Sequence, residues 1–239
     1  MSFNFLELKN RVGTSGYTYF WNPGKPSPFK WYVSRGFRTV EINASFYRFP
    51  QRSWVSTWLR DSPGNFDFSV KIHRSITHRS RLGPSSPRLW EKFLDTLRPM
   101  LEKISFFLFQ FPEYFRPSRE NLLKVKSFVK DMELEGIAVV EFRHPGWWNL
   151  IKEIEHSGAV FCSVDAPDLP RSLVLSNDAI YLRIHGRTAW YAYRYSDHEL
   201  EELAEKLIKL RAQRTYVYFN NDHGMLENAV KMMKLLESR

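Results

Sequence analysis

Eight times along this chain of 239 residues, a run rich in Val, Ile, Phe and Tyr finishes in polar or charged side chains. The runs are "RVGTS" (11–15), "TVEIN" (39–43), "FDFSVK" (66–71), "ISFFLFQ" (104–110), "IAVVEFR" (137–143), "AVFCSVD" (159–165), "AIYLRIH" (179–185) and "TYVYFNN" (215–221). Nearly continuous apolar runs fit strands covered on both faces, which is the pattern of a parallel sheet. Between them lie stretches of helical character. "SRENLLKVKSFVKDMELEG" (118–136) has Ser118 near its start and Gly136 at its stop. "SDHELEELAEKLIKLR" (196–211) opens with Ser196 and Glu199 in the spacing of a capping box. "SPRLWEKFLDTLRPMLEK" (86–103) carries Pro87 in its first turn and Pro99 where the helix should kink or end. "GMLENAVKMMKLLES" (224–238) closes the chain.

Strand–helix alternation repeated eight times gives parallel βα units, and eight such units close into a barrel. The expected fold is α/β, a single (β/α)8 TIM-type barrel over residues 1–239, with residues 1–10 as an N-terminal extension. The sixth connection, "APDLPRSLVLSND" (166–178), holds two prolines and is too short for a regular helix with two loops, so it should be irregular. An open doubly wound sheet would normally carry a glycine-rich phosphate loop, and "VGTSG" (12–16) is neither GxGxxG nor a Walker motif.

Composition narrows the class further. The hydrophobic content of 43% supports a sizeable core and excludes a disordered chain. The lone cysteine, Cys162, lies in an apolar run and reads as a small core residue, which with the absence of a signal-like start points to the cytoplasm. The longest apolar run is too short to span a bilayer, so no membrane partner is expected. A net charge of +9 fits either a basic, soluble surface or an anionic partner, a small molecule or a nucleic acid. Oligomeric state leaves no mark in the sequence.

In a barrel of this kind chemistry sits at the C-terminal ends of the strands. Residues two apart on a strand share a face, so Glu41 with Asn43, Glu141 with Arg143, and Arg183 with His185 should each point the same way. Lys71, Arg143 and Arg183 are candidates to hold an anion, the guanidinium forks suiting phosphate or carboxylate. Glu41, Glu141, Asp165 and His185 are candidates for acid–base catalysis. Asn43, Tyr47, His78, Gln110, Trp190, Asn220 and Asn221 complete the expected substrate-binding set. Glu141, Asp165, His185 and Asp222 could form a divalent metal site, although no local ligand spacing marks one. A blander account is a buried ion pair in which Glu141 neutralises Arg143 or Arg183. Two loops, 71–83 and 185–197, mix basic and aromatic residues, a composition that suits a pocket wall or a platform for single-stranded nucleic acid.

The motifs "VGTSGYTYFW", "TVEINASFYRFP", "FSVKIHRSITH", "FQFPEYF", "EFRHPGWW", "SVDAPDLP", "YLRIHGRTAWYAYRYSDHELEELA" and "VYFNNDHGMLENAV" occur in this order. Together they resemble the YecE-like family, also called domain of unknown function 72, from about Val12 to the final helix. The resemblance implies a TIM-type barrel. It also implies recurring polar positions at Glu41, Asn43, Tyr47, Lys71, Thr77, His78, Gln110, Glu141, Arg143, His144, Asp165, Arg183, His185, Asn220, Asn221 and Asp222. Tyr17 departs from the tryptophan that commonly follows "GTSG" in the family. The resemblance supplies fold and site, and no substrate.

Three functions therefore stand as expectations. The first is an enzyme of hydrolase, lyase or isomerase type acting on a small anionic substrate at the barrel mouth. The second is a nucleic-acid binder or processor using loops 71–83 and 185–197. The third is a non-catalytic ligand-binding barrel.

Overall fold

A strand's two-residue period sorts each apolar run onto two faces, and the computed structural model, which describes residues 9–237, places those faces on opposite sides of a barrel wall. The strands are β1 (Lys9–Thr14), β2 (Thr39–Ile42), β3 (Asp67–Lys71), β4 (Ile104–Phe111), β5 (Ala138–Phe142), β6 (Val160–Asp165), β7 (Ala179–Ile184) and β8 (Arg214–Phe219). All pairings are parallel, in the order β1-β8-β7-β6-β5-β4-β3-β2. The ring is joined between β1 and β2 by a single parallel bridge, Ser15 to Glu41. Gly13 permits that approach, because a Cβ there would stand 2.6 Å from the Thr39 carbonyl oxygen.

Helices cover the outside: α1 (Pro28–Ser34), α2 (Ala44–Tyr47), α3 (Arg52–Asp61), α4 (Ser86–Leu97), α5 (Arg119–Asp131), α6 (Ile151–Glu155), α7 (Asp197–Lys209) and α8 (Met225–Glu237). Outward residues such as Val40, Phe68, Phe107, Phe109, Val140, Ile180 and Leu182 pack against them in one large apolar cluster. Inward residues Phe106, Leu108, Val139, Cys162, Val164, Tyr181, Tyr216 and Tyr218 form a second cluster inside the barrel. Three buried tyrosines anchor this interior by their hydroxyls. Tyr216 donates to Asp67 at 3.1 Å and pairs with the Ser105 hydroxyl at 2.9 Å, Tyr218 pairs with Thr39 at 2.7 Å, and Tyr181 pairs with Ser69 at 2.6 Å.

Local signals act where expected. The Ser196–Glu199 capping box opens α7, and Ser118 caps α5 by accepting from the Asn121 backbone N–H. At Pro99, α4 gives way to a 3-10 turn over Arg98–Lys103. The connection between β6 and β7 contains no helix. Some boundaries differ. Helix α5 stops at Asp131 instead of continuing to Gly136, because the chain turns through Glu133 at positive φ and drives Leu134 into the core. Residues 9 and 10, expected in an N-terminal extension, belong to β1, while residues 1–8 and the last expected residue of the closing helix, 238, lie outside the described residues. No helix among the described residues is long and apolar enough to cross a membrane.

Candidate active site

Inward parity puts Glu41 of β2, Glu141 of β5 and Arg183 of β7 in one layer just above the tyrosines, all fully buried. Arg183 bridges the two carboxylates. Its Nε donates to Glu41 Oε2 at 2.9 Å and its Nη2 to Glu41 Oε1 at 2.7 Å, while Nη1 donates to Glu141 Oε2. Ser15 and Tyr181 donate to the remaining sides of Glu41 at 2.7 and 2.8 Å. Glu141 also meets Arg143 Nη2 at 2.8 Å. Burial alone would push the Glu141 carboxyl up, but Arg143 and Arg183 together hold it well below its ordinary value, so it is ionised. Burial disfavours charge on Arg183 as well, and the two glutamates more than offset that.

His185 sits one step above Arg183 on the same face of the chain and is fully buried. Asn220 Nδ2 lies 3.3 Å from its Nδ1, and Glu141 Oε1 lies 3.6 Å from its Nε2. Arg183 Nη1 also lies 3.4 Å from Nε2, so this nitrogen faces both a guanidinium and a carboxylate. Burial, then Arg143 and Arg183, lower its pKa to about 3, so it stays neutral at physiological pH. This removes it as the proton shuttle near pH 7 that its residue type suggests.

Lys71 ends β3. Ser69, two residues earlier, bonds Tyr181 inside the barrel, so Lys71 faces inward one layer higher. Its Nζ lies 4.3 Å from the centre of the Phe46 ring and has no carboxylate within ion-pair distance among the described residues. Burial and the neighbouring Arg183 bring its pKa down to about 7. His78, on the turn after β3, pairs with the Thr77 hydroxyl at 2.9 Å, and burial together with Lys71 and Arg143 lowers its pKa to about 4.

Above this floor opens a cavity of about 640 Å³ lined by His78, Gln110, Arg143, Trp190 and Tyr191. Trp190 lies beneath the Arg143 guanidinium, 4.3 Å from ring centre to Cζ, and 5.2 Å from the His185 ring. The loop that carries it returns to the mouth through Gly186, whose φ of +119° and contact with Ala189 O, 2.4 Å from a would-be Cβ, admit only glycine. A second cavity of about 500 Å³ lies over β1 and β2, lined by Asn43 and Tyr47 among others. Two buried polar atoms at the mouth, Asn43 Oδ1 and Arg143 Nε, have no hydrogen-bond partner among the described residues.

Three expected assignments are corrected. Asp165 faces away from the Glu41–Glu141 layer, because Val164 is the inward residue at the end of β6. It pairs instead with Arg187 at 3.3 Å, beside α7. Asn221 donates to the Tyr193 carbonyl and to Asn228, tying the 185–197 loop to α8 rather than reaching the cavity. Arg183 is saturated by protein partners and has no exposed surface, so it holds carboxylates in place and is not free to receive a ligand anion. The proposed metal quartet does not assemble. Among the described residues no three His, Cys, Asp or Glu side chains are grouped to bind an ion, and Glu141 is already engaged by two arginines. Sequence reasoning does not single out Tyr181 or Phe46. The signal for Tyr181 is its place two residues before Arg183, whereas Phe46 reaches Lys71 from a different βα loop.

Fold and site together define a TIM-type barrel with a buried carboxylate–guanidinium floor beneath an open C-terminal mouth. The chain belongs to the DUF72 family: the model described as "Protein of unknown function DUF72" matches residues 11–239. It is similar to the UPF0759 protein YunF of Bacillus subtilis, 26% identical over 85% of each chain. A DUF72 family protein of Thermotoga maritima, solved by crystallography, superposes with a TM-score of 0.85 at 31% identity, covering 96% of this chain and 99% of that one. One from Enterococcus faecalis shares the fold at 24% identity, with a TM-score of 0.84 and 95% of each chain covered.

Proposed function

We propose that this chain is an enzyme acting on a small anionic substrate, phosphate- or carboxylate-bearing, at the C-terminal mouth of the barrel by acid–base chemistry. The observation that carries this reading is Lys71: an inward, unpaired amine whose pKa of about 7 suits it to accept and return a proton near neutrality. Glu141, held ionised, and neutral His185 serve as fixed electrostatic neighbours of that amine. Arg143, partly exposed and lining the cavity with Nε unpaired, is the anchor for the substrate's anion. A hydrolytic, lyase or isomerase reaction fits this set of groups. A cytoplasmic setting accords with the free, buried thiol of Cys162.

The test is a thermal-shift panel of phosphorylated and carboxylated metabolites, since a ligand that binds only the folded state raises Tm. Stabilisation by a subset of anions, abolished in Arg143→Gln, is the expected outcome. A wild-type protein indifferent to every anion would remove the reading.

A second reading has one observation in its favour. Phe20, Tyr47, Tyr114 and Tyr191 are 69%, 68%, 58% and 38% exposed on loops that follow β1, β2, β4 and β7. With a net charge of +9, such a rim suits base stacking on single-stranded nucleic acid. That interaction predicts binding of an oligothymidylate that weakens steeply with salt. A third possibility, a barrel that binds without turnover, predicts a stabilising anion recovered unchanged.

A further inference from the structure

Lys71 has two properties that the acid–base reading does not use. Its nitrogen is a nucleophile when unprotonated, and burial, with Arg183 beside it, favours that form against the opposing charges of Glu141 and Glu41. The Phe46 ring occupies one side, 4.3 Å from Nζ to ring centre. No carboxylate of the described residues pairs with it, because Glu41 and Glu141 are both taken by Arg183. The guanidiniums of Arg183 and Arg143 add positive charge nearby. Desolvation by burial and a neighbouring cation are the two devices that activate a lysine amine for attack on a carbonyl carbon. The residue ends β3 and is only 8% exposed. Buried Ser69, Tyr181 and Tyr218 lie below it, and its neighbours His78 and Arg143 line the cavity of about 640 Å³ at the mouth, the side from which a reactant would approach.

We propose that Lys71 forms an imine with an aldehyde or ketone that also carries a carboxylate, the carboxylate resting against Arg143. This rests on the reading of the mouth as an anion-binding active site and narrows its substrate to oxo acids. The free amine of Lys71 attacks the carbonyl carbon, forming the C–N bond, and one amine proton passes to the former carbonyl oxygen. The resulting carbinolamine takes up a proton from solvent at its hydroxyl and loses it as water, leaving the iminium, which keeps the remaining N–H. No electrons are gained or lost overall. The iminium then withdraws electrons from the adjacent carbon, which makes a neighbouring C–H or C–C bond easier to break. Chemistry of the lyase or isomerase kind becomes available, while simple hydrolysis does not need this step.

The groups that face Lys71 are Arg183, Glu141, Glu41, Arg143 and the His78 ring. Arg183 and Glu141 keep their charge and His78 its neutrality through neutral and mildly alkaline pH. Reaction with a carbonyl compound near pH 7 should therefore follow the ionisation of Lys71 itself.

The experiment is reductive trapping. The full chain is incubated at neutral pH with pyruvate or glyoxylate, treated with borohydride, digested and mapped by mass spectrometry. The expected result is a secondary amine at Lys71 formed at least about ten-fold faster than at exposed lysines such as Lys30. Lys71→Arg and Lys71→Met should abolish that adduct, and Arg143→Gln should slow it for both oxo acids. Trapping at Lys71 no faster than at Lys30 overturns the proposal. Lactate, which has the carboxylate without the carbonyl, separates this failure from that of the underlying site. If lactate and pyruvate both raise Tm through Arg143 and no Lys71 adduct appears, the imine is wrong and the anion site stands. If neither shifts Tm and no adduct forms, both are wrong.

Discussion

Arg183 grips Glu41 with two parallel hydrogen bonds, Nε to Oε2 at 2.9 Å and Nη2 to Oε1 at 2.7 Å, and both side chains are wholly buried. The pair spans from β7 to β2, across the barrel, and its remaining Nη1 reaches Glu141 on β5. One guanidinium thus compensates two buried carboxylates from different strands. Removing it would leave charge without a partner in a medium that solvates charge poorly.

Arg183→Met should therefore destabilise the fold by about 3–5 kcal/mol. Replacing Glu41 and Glu141 by Gln in the same chain should recover part of that loss. Urea denaturation of the three proteins provides the check. A single variant as stable as the wild type would mean that the pairing contributes little.

The pH dependence of stability follows from Lys71. Its pKa is about 7 when folded and 10.5 when free, so between these values the unfolded chain binds more protons and stability rises with pH. The gain can reach ~1 kcal/mol per pH unit. Tyr181 and Tyr218, raised first by burial and then by neighbours including Glu41 and Asp67, act in the opposite sense only above pH 10, where the unfolded tyrosines ionise. Denaturation midpoints at pH 7.5 and 9.5 should differ in the wild type and converge in Lys71→Met. Equal pH slopes in the two proteins would contradict the assignment.

His185 adds dependence on the acid side. Its folded pKa of about 3 lies below its free value of 6.5, so the unfolded state takes up the proton first and stability falls as pH drops through that interval. His185→Gln should lose less stability than the wild type between pH 7 and pH 4, measured by the same denaturation series. Glu141, whose carboxyl is held low, contributes a loss at still lower pH in both proteins.

Gly186→Ala should destabilise the chain by about 1–3 kcal/mol, because φ of +119° is closed to alanine and Ala189 O stands in the way. The change should also free the loop that holds Trp190 against Arg143. Faster proteolysis within residues 187–195, alongside the lower Tm, would register that release. A loop as protected as in the wild type would show that Asn221 and Tyr195 hold it without the glycine turn.

Asp165→Asn offers a contrast with Arg143→Gln. Asp165 lies on the outer side of β6 with Arg187, so its amide variant should keep any anion-induced Tm shift that Arg143→Gln loses. Parallel loss in both variants would place Asp165 in the site after all.

That contrast also marks where sequence patterning carries information and where it does not. In β7, Tyr181, Arg183 and His185 alternate with Ile180, Leu182 and Ile184, and polarity alone assigns the inward face. In β6 the run "VFCSVD" puts Val160, Cys162 and Val164 on one face and Phe161, Ser163 and Asp165 on the other, and here the apolar face lines the barrel. The polar face turns outward, where Ser163 accepts from the Val174 N–H and Asp165 pairs with Arg187, so reading polarity as inward misplaces Asp165. Polarity is ambiguous for Asn220 and Asn221 where β8 ends, and the structure gives the first to His185 and the second to the neighbouring loop. The eight βα units and the mouth were legible because burial on two faces leaves a continuous apolar signature. The protonation state of Lys71 was not, because burial in the assembled barrel sets it first, and then Arg183, Glu141 and Glu41, which come from three different βα units.

The tyrosine layers give the barrel one door. Thr39, Tyr181, Tyr216 and Tyr218 stop the interior from running through to its N-terminal end, and all are buried. Whatever enters at the mouth must leave by the same opening, so a product still bound obstructs the next substrate. Turnover at this site would accordingly show product inhibition competitive with substrate. A polymer could lie across the rim or offer a terminus or an everted unit to the interior, but could not be threaded through the barrel from end to end.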